Sequence, residues 1–433
     1  MRSVGLYTLG CKVSQYETEA IAERFVSRGF SVLPFTEVCD AYVVNTCTVT
    51  AESDRKSRQV IRRAIAKNPD AVVAVIGCYT QRAPMEVAGI EGVDVVLGTQ
   101  DKLSVVDRVI ERLDGESGQH VSAPSLDGAE FEPMCITRAP RTRAYVKIED
   151  GCEAKCTYCA ISGARGRVRS KPREAVISEV AGLASTGVRE VVLTGIETGS
   201  FGVDLYDDYR LADLIVDIDR LGIVDRIRLG SLAPELVGSG FAERVSRAHS
   251  LAPHFHLSVQ SGSSRILAAM KRRYNRDMAL ANIDLLRRYI PGAQFTTDLM
   301  VGFPGESEQD FLDTVDLVRR ARFIDAHVFA YSRRAGTPAA NYPDQIPERV
   351  KRERSRELIR VKNEVRDEVL DELVARAQPL GCILETYSCG SYAAHSDEFA
   401  EVSVTAEEGR EGEYVKVAPV SHKNGIIYGK IIK

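Results

Sequence analysis

From the N-terminus to about residue 113, short continuous apolar runs alternate with stretches whose apolar positions recur every three or four residues. Val4 to Leu9, Ala41 to Asn45, Ala71 to Ile76 and Val93 to Leu97 have strand length and no polar face, the pattern of parallel strands buried on both sides. Tyr16 to Arg28 and Glu52 to Lys67 read as helices, stopped by Gly29 and by the Asn68-Pro69 pair. The alternation predicts a doubly wound α/β domain over 1–113. Asp114 to Pro133 is rich in Gly, Ser, Asp and Pro and lacks periodicity, so 114–133 reads as an exposed linker.

A second βα series begins at Arg143. Its candidate strands are Ala144 to Ile148, Glu190 to Leu193, Arg226 to Leu229, His254 to Val259, Phe295 to Val301 and Asp325 to Tyr331. Helical patterns lie between them, among them Arg173 to Ser185, Leu211 to Leu221 and Ser307 to Ala321. Six repeats predict an open, partial (β/α)6 barrel over 134–346, with chemistry on the loops that follow the strands. Pro347 to Arg376 is a long helix of mixed charge, a connector over 347–378. Beyond it Gly381 to Thr386, Ala400 to Thr405, Tyr414 to Ala418 and Ile426 to Ile431 alternate as the strands of a small β-barrel over 379–433 do.

The chain has 433 residues, 44% of them hydrophobic and 27% charged, which allows two or three domains with real cores. No apolar run approaches a membrane span, and the first residues read as a strand rather than a signal peptide, so a cytoplasmic protein is expected. Ten cysteines in a reducing compartment argue for metal ligation rather than disulfides. The net charge of −4 does not announce a nucleic-acid binder, so any such role rests on local charge.

Cys152, Cys156 and Cys159 stand at CxxxCxxC spacing directly after the first strand of the second series. Thiolates bind the irons of iron–sulfur clusters well, and a loop with three of them leaves one iron of a [4Fe–4S] cubane open. Zinc prefers paired CxxC elements that close a tetrahedron, and no second pair lies nearby. Cys11, Cys47 and Cys78 each follow a strand of the first series. Parallel strands share one C-terminal edge, where ligand sites of open sheets lie, so these three are expected to converge on a second cluster. Cys39, Cys135, Cys382 and Cys389 fit neither set and read as structural.

The first spacing resembles the signature of the radical S-adenosylmethionine (SAM) enzymes. Leu9-Gly10-Cys11-Lys12-Val13-Ser14-Gln15-Tyr16-Glu17, Asn45-Thr46-Cys47 and Gly77-Cys78 resemble the N-terminal domain of the radical SAM methylthiotransferases. The stretch after Cys11 is most similar to the branch acting on N6-threonylcarbamoyladenosine in tRNA (the MtaB type), with Ser14 where Asn is usual. The resemblance implies two [4Fe–4S] clusters, with SAM chelating the open iron at Cys152, Cys156 and Cys159. It implies one SAM spent on a radical and one on methylating the sulfur, with a methylthio group inserted at C2 of adenosine 37. The base is expected to leave the anticodon stack to react. A monomer served by an electron donor such as flavodoxin or ferredoxin is expected, and so is an RNA-binding TRAM-like C-terminal barrel. No catalytic residue beyond the clusters is implied.

For SAM the resemblance points to Gly195 and Glu197 in a GGE-like motif, and to Ser231, Gln260 and Asp298. Tyr158 is a candidate to pack on adenine. Between Arg141 and Arg173 nine basic residues face three acidic ones, a candidate phosphate contact. Arg165 and Arg167 are candidates to pair with the threonylcarbamoyl carboxylate. From Glu368 onward eleven acidic residues face six basic ones, so the C-terminal barrel would position RNA by shape or with a few lysines. Alternatives in the same class are isopentenyladenosine tRNA or a ribosomal protein as substrate. A non-catalytic iron–sulfur RNA-binding protein is the alternative of another class.

Overall fold

The structure, a computed structural model, describes residues 1–139 and 142–432. Arg141, the first of the basic residues noted above, lies outside the described residues.

The N-terminal sheet contains β1 (Ser3–Thr8), β2 (Ser31–Leu33), β3 (Ala41–Thr46), β4 (Val72–Gly77), β5 (Val95–Leu97) and β6 (His120–Ser122). All pair in parallel, in the order β2-β1-β3-β4-β5-β6. Successive residues feed opposite faces: Val43 and Ala74 join one apolar cluster, Val44 and Val73 the other. Both faces are therefore buried, which is why these strands read as unbroken apolar runs. The edge strands β2 and β6 escape a reading by hydrophobicity, since Ser31-Val32-Leu33 and His120-Val121-Ser122 are short and partly polar. The region expected to be an exposed linker thus supplies β6, held by its ladder to β5, and its Glu132 is buried.

The central series holds β7 (Arg143–Lys147), β8 (Glu149–Asp150), β9 (Arg169–Ser170), β10 (Glu190–Thr194), β11 (Arg226–Leu229), β12 (Ser231–Leu232), β13 (His254–Gln260), β14 (Gln294–Val301) and β15 (Asp325–Ala330). Two parallel ladders, β11-β10-β7 and β12-β13-β14-β15, form an arc whose joint is Gly230, between β11 and β12. A Cβ at Gly230 would stand 2.7 Å from Thr198 Oγ1, so a side chain at the joint would force Thr198 to shift. The helices Arg173–Ser185 and Leu211–Leu221 have the expected bounds, and Glu308–Ala321 starts behind a capping box of Ser307 and Asp310.

The helix Glu348–Ala375 is more than a connector. Its Leu358, Val361 and Val365 complete the central core, and its Val369, Leu370 and Leu373 enter the core of the C-terminal barrel. That barrel is closed by five strands, β16 (Leu380–Ser388), β17 (Ser391–Ser396), β18 (Glu401–Thr405), β19 (Tyr414–Lys423) and β20 (Ile426–Ile431). One more strand is present than the pattern predicts. In β17 the inward residues are Tyr392, Ala394 and Ser396, so only Tyr392 marks the strand and its inward neighbours are small or polar.

The turn after β17 docks on the starts of the central strands. Arg226 and Arg228 donate to the carbonyls of His395, Ser396 and Asp397, and both pair with Glu190, at 3.5 and 2.9 Å. His254 stacks on Phe399 with ring centroids 4.3 Å apart, and Arg143 pairs with Glu385. This end of the arc is therefore closed by protein, leaving the C-terminal strand ends for chemistry. Among the described residues no helix is long and apolar enough to cross a membrane.

Candidate active site

Cys11 is the N-cap of the helix Lys12–Ser27, Cys47 follows β3, and Cys78 opens the short helix Cys78–Arg82 after β4. The strand edge does bring them together. A Cβ at Gly10 would touch the Cys47 sulfur at 3.3 Å, and each of Cys47 and Cys78 feels the charge of Cys11. Gly77 has a φ of +109°, and a Cβ there would meet Thr46 O and Asn45 Oδ1 at 2.6 Å, so the turn that aims Cys78 requires glycine. Burial pushes the Cys78 thiol up to about 11, against the opposing pull of Arg165.

The second set is fixed by the loop between β8 and β9. Cys152 N donates to Gly166 O at 3.0 Å, Thr157 N to Met270 O at 3.1 Å, and Ile161 N to the Cys159 sulfur at 3.3 Å. Arg272 donates to the Cys156 sulfur at 3.2 Å and to Ser258 O at 3.2 Å, with Tyr274 beneath its guanidinium. Burial pushes the Cys152 thiol up to about 12. Thiols so raised give up their protons when metal takes their place.

These three cysteines line a cavity of about 440 Å³. Of the SAM candidates, Tyr158, Glu197, Gln260 and Asp298 line it too. Gly195 and Ser231 are not in its wall: Gly195 packs against Glu149, and Ser231 is a half-buried residue at the start of β12. Gln260 sits at φ +67°, an uncommon conformation for a side-chain-bearing residue, and its buried Oε1 has no hydrogen-bond partner. Burial pushes the Glu197 carboxyl up to about 7, while it accepts from Ala233 N at 3.2 Å.

The residues fit an open cluster with SAM beside it. Three thiols face the cavity, an orphaned amide oxygen awaits a donor, and two carboxyls stand ready for an ammonium. Among the described residues no three His, Cys, Asp or Glu side chains close on one point, as a single metal ion requires. A cubane takes one thiolate on each of three irons, so its ligands stand further apart.

Sequence reasoning missed several residues. Val49 and Thr50, from the N-terminal domain, line the same cavity as Cys152, Cys156 and Cys159. Ala51 N fastens that loop to Ser332 Oγ at 3.2 Å. The cavity thus reaches the loop that carries Cys47. Arg272 lies in the Lys271-Arg272-Arg273 run, which reads as a charged face until its sulfur partner is seen. Glu149, fully buried, accepts from Glu197 N at 2.9 Å and holds the SAM-side loop from below.

Arg165 is corrected. It is completely buried and shared among Glu17 (2.6 Å), Asp150 (3.1 Å) and the Cys78 sulfur (3.1 Å), so it has no nitrogen to spare for a substrate. Lys102 and Lys147 join the same network, each 2.9 Å from Glu17. Burial works against the Glu17 carboxylate, but these cations outweigh it and hold the group well below the usual range. Arg167 is exposed and pairs with Glu153 at 3.2 Å.

A partial parallel barrel with a three-thiol CxxxCxxC loop at its open end defines a radical SAM protein. The comparisons agree: residues 146–318 match the Radical SAM superfamily, and residues 3–98 match the Uncharacterized protein family UPF0004. The chain is 42% identical to the threonylcarbamoyladenosine tRNA methylthiotransferase MtaB of Bacillus subtilis, over 81% of this chain and 78% of that protein. It is 35% identical to the tRNA-2-methylthio-N(6)-dimethylallyladenosine synthase of Carboxydothermus hydrogenoformans, over 81% of each. The radical SAM methyltransferase TsrM of Kitasatospora setae, solved with cobalamin and a [4Fe-4S] cluster, shares the fold. Its TM-score is 0.58 at 18% identity, over 78% of this chain and 77% of that one. The chain belongs to the radical SAM methylthiotransferase family. It is a transferase that uses SAM and [4Fe–4S] clusters.

Proposed function

We propose that this enzyme adds a methylthio group to C2 of N6-threonylcarbamoyladenosine at position 37, beside the anticodon of a tRNA. Cys152, Cys156 and Cys159 hold the SAM-binding cluster, and Cys11, Cys47 and Cys78 hold the auxiliary one. The observation that carries this reading is the shared cavity, walled by the first set and by Val49 and Thr50 from the loop after Cys47. When bound, the clusters and SAM supply the radical, the sulfur and the methyl group. The chain's own part is to hold them around one base and exclude water. Gln260 and the carboxyls of Glu197 and Asp298 orient SAM, and Tyr158 flanks it. The wall from Cys152 to the Cys47 loop keeps the sulfur within reach of the radical site.

The 42% identity to a threonylcarbamoyladenosine enzyme, against 35% to the dimethylallyladenosine enzyme compared above, supports the choice of base. The enzyme works as a monomer in the cytoplasm with a flavodoxin- or ferredoxin-type electron donor, and its C-terminal barrel serves as a TRAM-like RNA module.

Three measurements test the reading. Alanine at Cys152, Cys156 and Cys159 together should remove about half the iron and all SAM cleavage, given two equal four-iron clusters. Alanine at Cys11, Cys47 and Cys78 should leave cleavage to 5′-deoxyadenosine but yield no methylthio product. Mass spectrometry of tRNA nucleosides with and without the gene should then show loss of 2-methylthio-N6-threonylcarbamoyladenosine alone. Loss of the isopentenyl product instead would overturn the choice of base.

A further inference from the structure

A base that enters the cavity brings its flanking phosphates to the mouth, and phosphate contacts carry much of the affinity for a nucleic acid. Val49 and His327 mark the mouth, since both line the cavity and both are exposed. The C-terminal barrel docks at the other end of the central strands, so the cations at the mouth have another source. Much of the basic run from Arg141 to Arg173 does not supply them. Lys147, Arg165, Arg169 and Lys171 are buried, and Arg143 pairs with Glu385.

The helix Ala51–Lys67 starts at the mouth. Its N-cap Thr50 lines the cavity beside Val49. From Arg55 to Lys67 the helix has six basic residues and no acidic one, in a chain whose acidic residues outnumber its basic ones by 61 to 57. The two acids of its first turn are engaged. Glu52 accepts from Arg55 at 2.7 Å, and Asp54 pairs with Arg334 at 2.7 Å. A charged helix that only faces water balances its signs. The helix Glu348–Ala375 does so, with Arg349 on Glu353 and Arg360 on Glu364.

Val60, Ile61 and Ala64 turn the helix Ala51–Lys67 onto the N-terminal core. Lys56, Arg63 and Lys67 are exposed, and at 3.6 residues per turn their spacings of seven and four place them in one stripe about 16 Å long. Arg63 lies over the rings of Tyr7 and Phe35, 5.4 and 5.2 Å from their centroids, which steadies its guanidinium without using its nitrogens. Among the described residues none of the three has an ion pair or a side-chain hydrogen bond. We propose that Lys56, Arg63 and Lys67 bind the phosphates of the tRNA anticodon arm beside the reacting base. The stripe begins about 9 Å along the helix from Thr50, so a strand whose base is in the cavity meets these cations as it leaves the mouth. The inference rests on the reading above that the substrate is a tRNA, and it does not depend on which N6 group the base carries.

The test uses the full chain with both clusters, as wild type and as two triple variants. One is Lys56→Gln with Arg63→Gln and Lys67→Gln. The other keeps the charge, with Lys56→Arg, Arg63→Lys and Lys67→Arg. The probe is a fluorescent anticodon stem-loop RNA bearing N6-threonylcarbamoyladenosine, titrated at several salt concentrations. Each lost phosphate contact lowers the slope of log K against log salt by about 0.7–0.9, so the glutamine variant should lose about 2 from the slope and bind about 100-fold more weakly at about 0.1 M salt. The charge-keeping variant should retain the wild-type slope. Iron content reports that each protein is folded and loaded. A glutamine variant with the wild-type slope and affinity would overturn the inference alone, and so would an equal loss in the charge-keeping variant. A glutamine variant impaired only in taking electrons from a flavodoxin would also overturn it and give the stripe to an acidic protein. A wild type that binds no stem-loop RNA would overturn the tRNA reading and the inference with it.

Discussion

Arg165 Nε lies 3.1 Å from the sulfur of Cys78, although the two residues come from different domains. Arg165 belongs to the short helix Ile161–Arg165, just past Cys159, so the loop of one cysteine set reaches a ligand of the other. Its NH1 group is 2.6 Å from Glu17, which ties the same loop to the helix that begins after Cys11. Domain docking and the geometry of both sites therefore rest on one buried charge cluster.

Arg165→Met would leave Glu17 and Asp150 with fewer cations in a fully buried place. Breaking such a network costs about 3–5 kcal/mol. Thermal unfolding should move several degrees lower, and iron should be lost first from the auxiliary set. An unchanged melting temperature together with full iron content would contradict this.

Arg272→Met should act on the other set. Hydrogen bonds and positive charge at a cluster sulfur raise its reduction potential, and Arg272 supplies both to Cys156 at 3.2 Å. The variant should keep its iron, show a lower potential for the SAM-binding cluster by redox titration, and be reduced to a smaller extent by a donor of fixed potential. An unchanged potential would show that the contact does not persist once the cluster is bound.

The strands were legible because burial on both faces writes itself as apolar runs, and the cysteines because soft ligands at fixed spacing have few other uses. Arg272 and Arg165 were not legible in their true roles. Each lies in a basic stretch, and whether an arginine meets solvent, phosphate or a sulfur is decided by folding across more than eighty residues. The edge strands β2 and β6 and the strand β17 were missed for a related reason. Their ladders hold them in place, with Tyr392 and Ala394 of β17 also entering the barrel core. The apolar face of Glu348–Ala375 was hidden by its charge, yet it serves two cores.

His254 gives a pH signature to the docked C-terminal barrel. Burial, followed by repulsion from Arg228, holds its imidazole well below the usual pKa of 6.5. The folded state keeps it neutral while the unfolded chain takes up a proton below 6.5, so stability is greatest above that pH and falls as pH drops beneath it. The melting temperature should decline from pH 6.5 toward 5. His254→Phe, which keeps a ring against Phe399, should flatten that decline. Equal slopes for both proteins would assign the acid sensitivity elsewhere.

Gly77 offers a test of the auxiliary site that touches no cysteine. Its φ of +109° suits only glycine, and a Cβ there would press on Thr46 O and Asn45 Oδ1 at 2.6 Å. Both contacts belong to the strand leading to Cys47, so relief of the clash must move either that strand end or the turn into Cys78. Strain of this kind costs about 1–3 kcal/mol and is localised at the site. Gly77→Ala should therefore lose about half the iron, if the clusters are equal, and abolish methylthio transfer while SAM cleavage persists. Gly29→Ala is the control. It has a φ of +83° with open space around its Cβ position and lies beyond the far end of the helix that begins after Cys11, so it bears backbone strain away from the cluster cysteines and should keep its full iron. Equal iron in the two variants would mean that the turn at Gly77 does not aim Cys78 at a cluster.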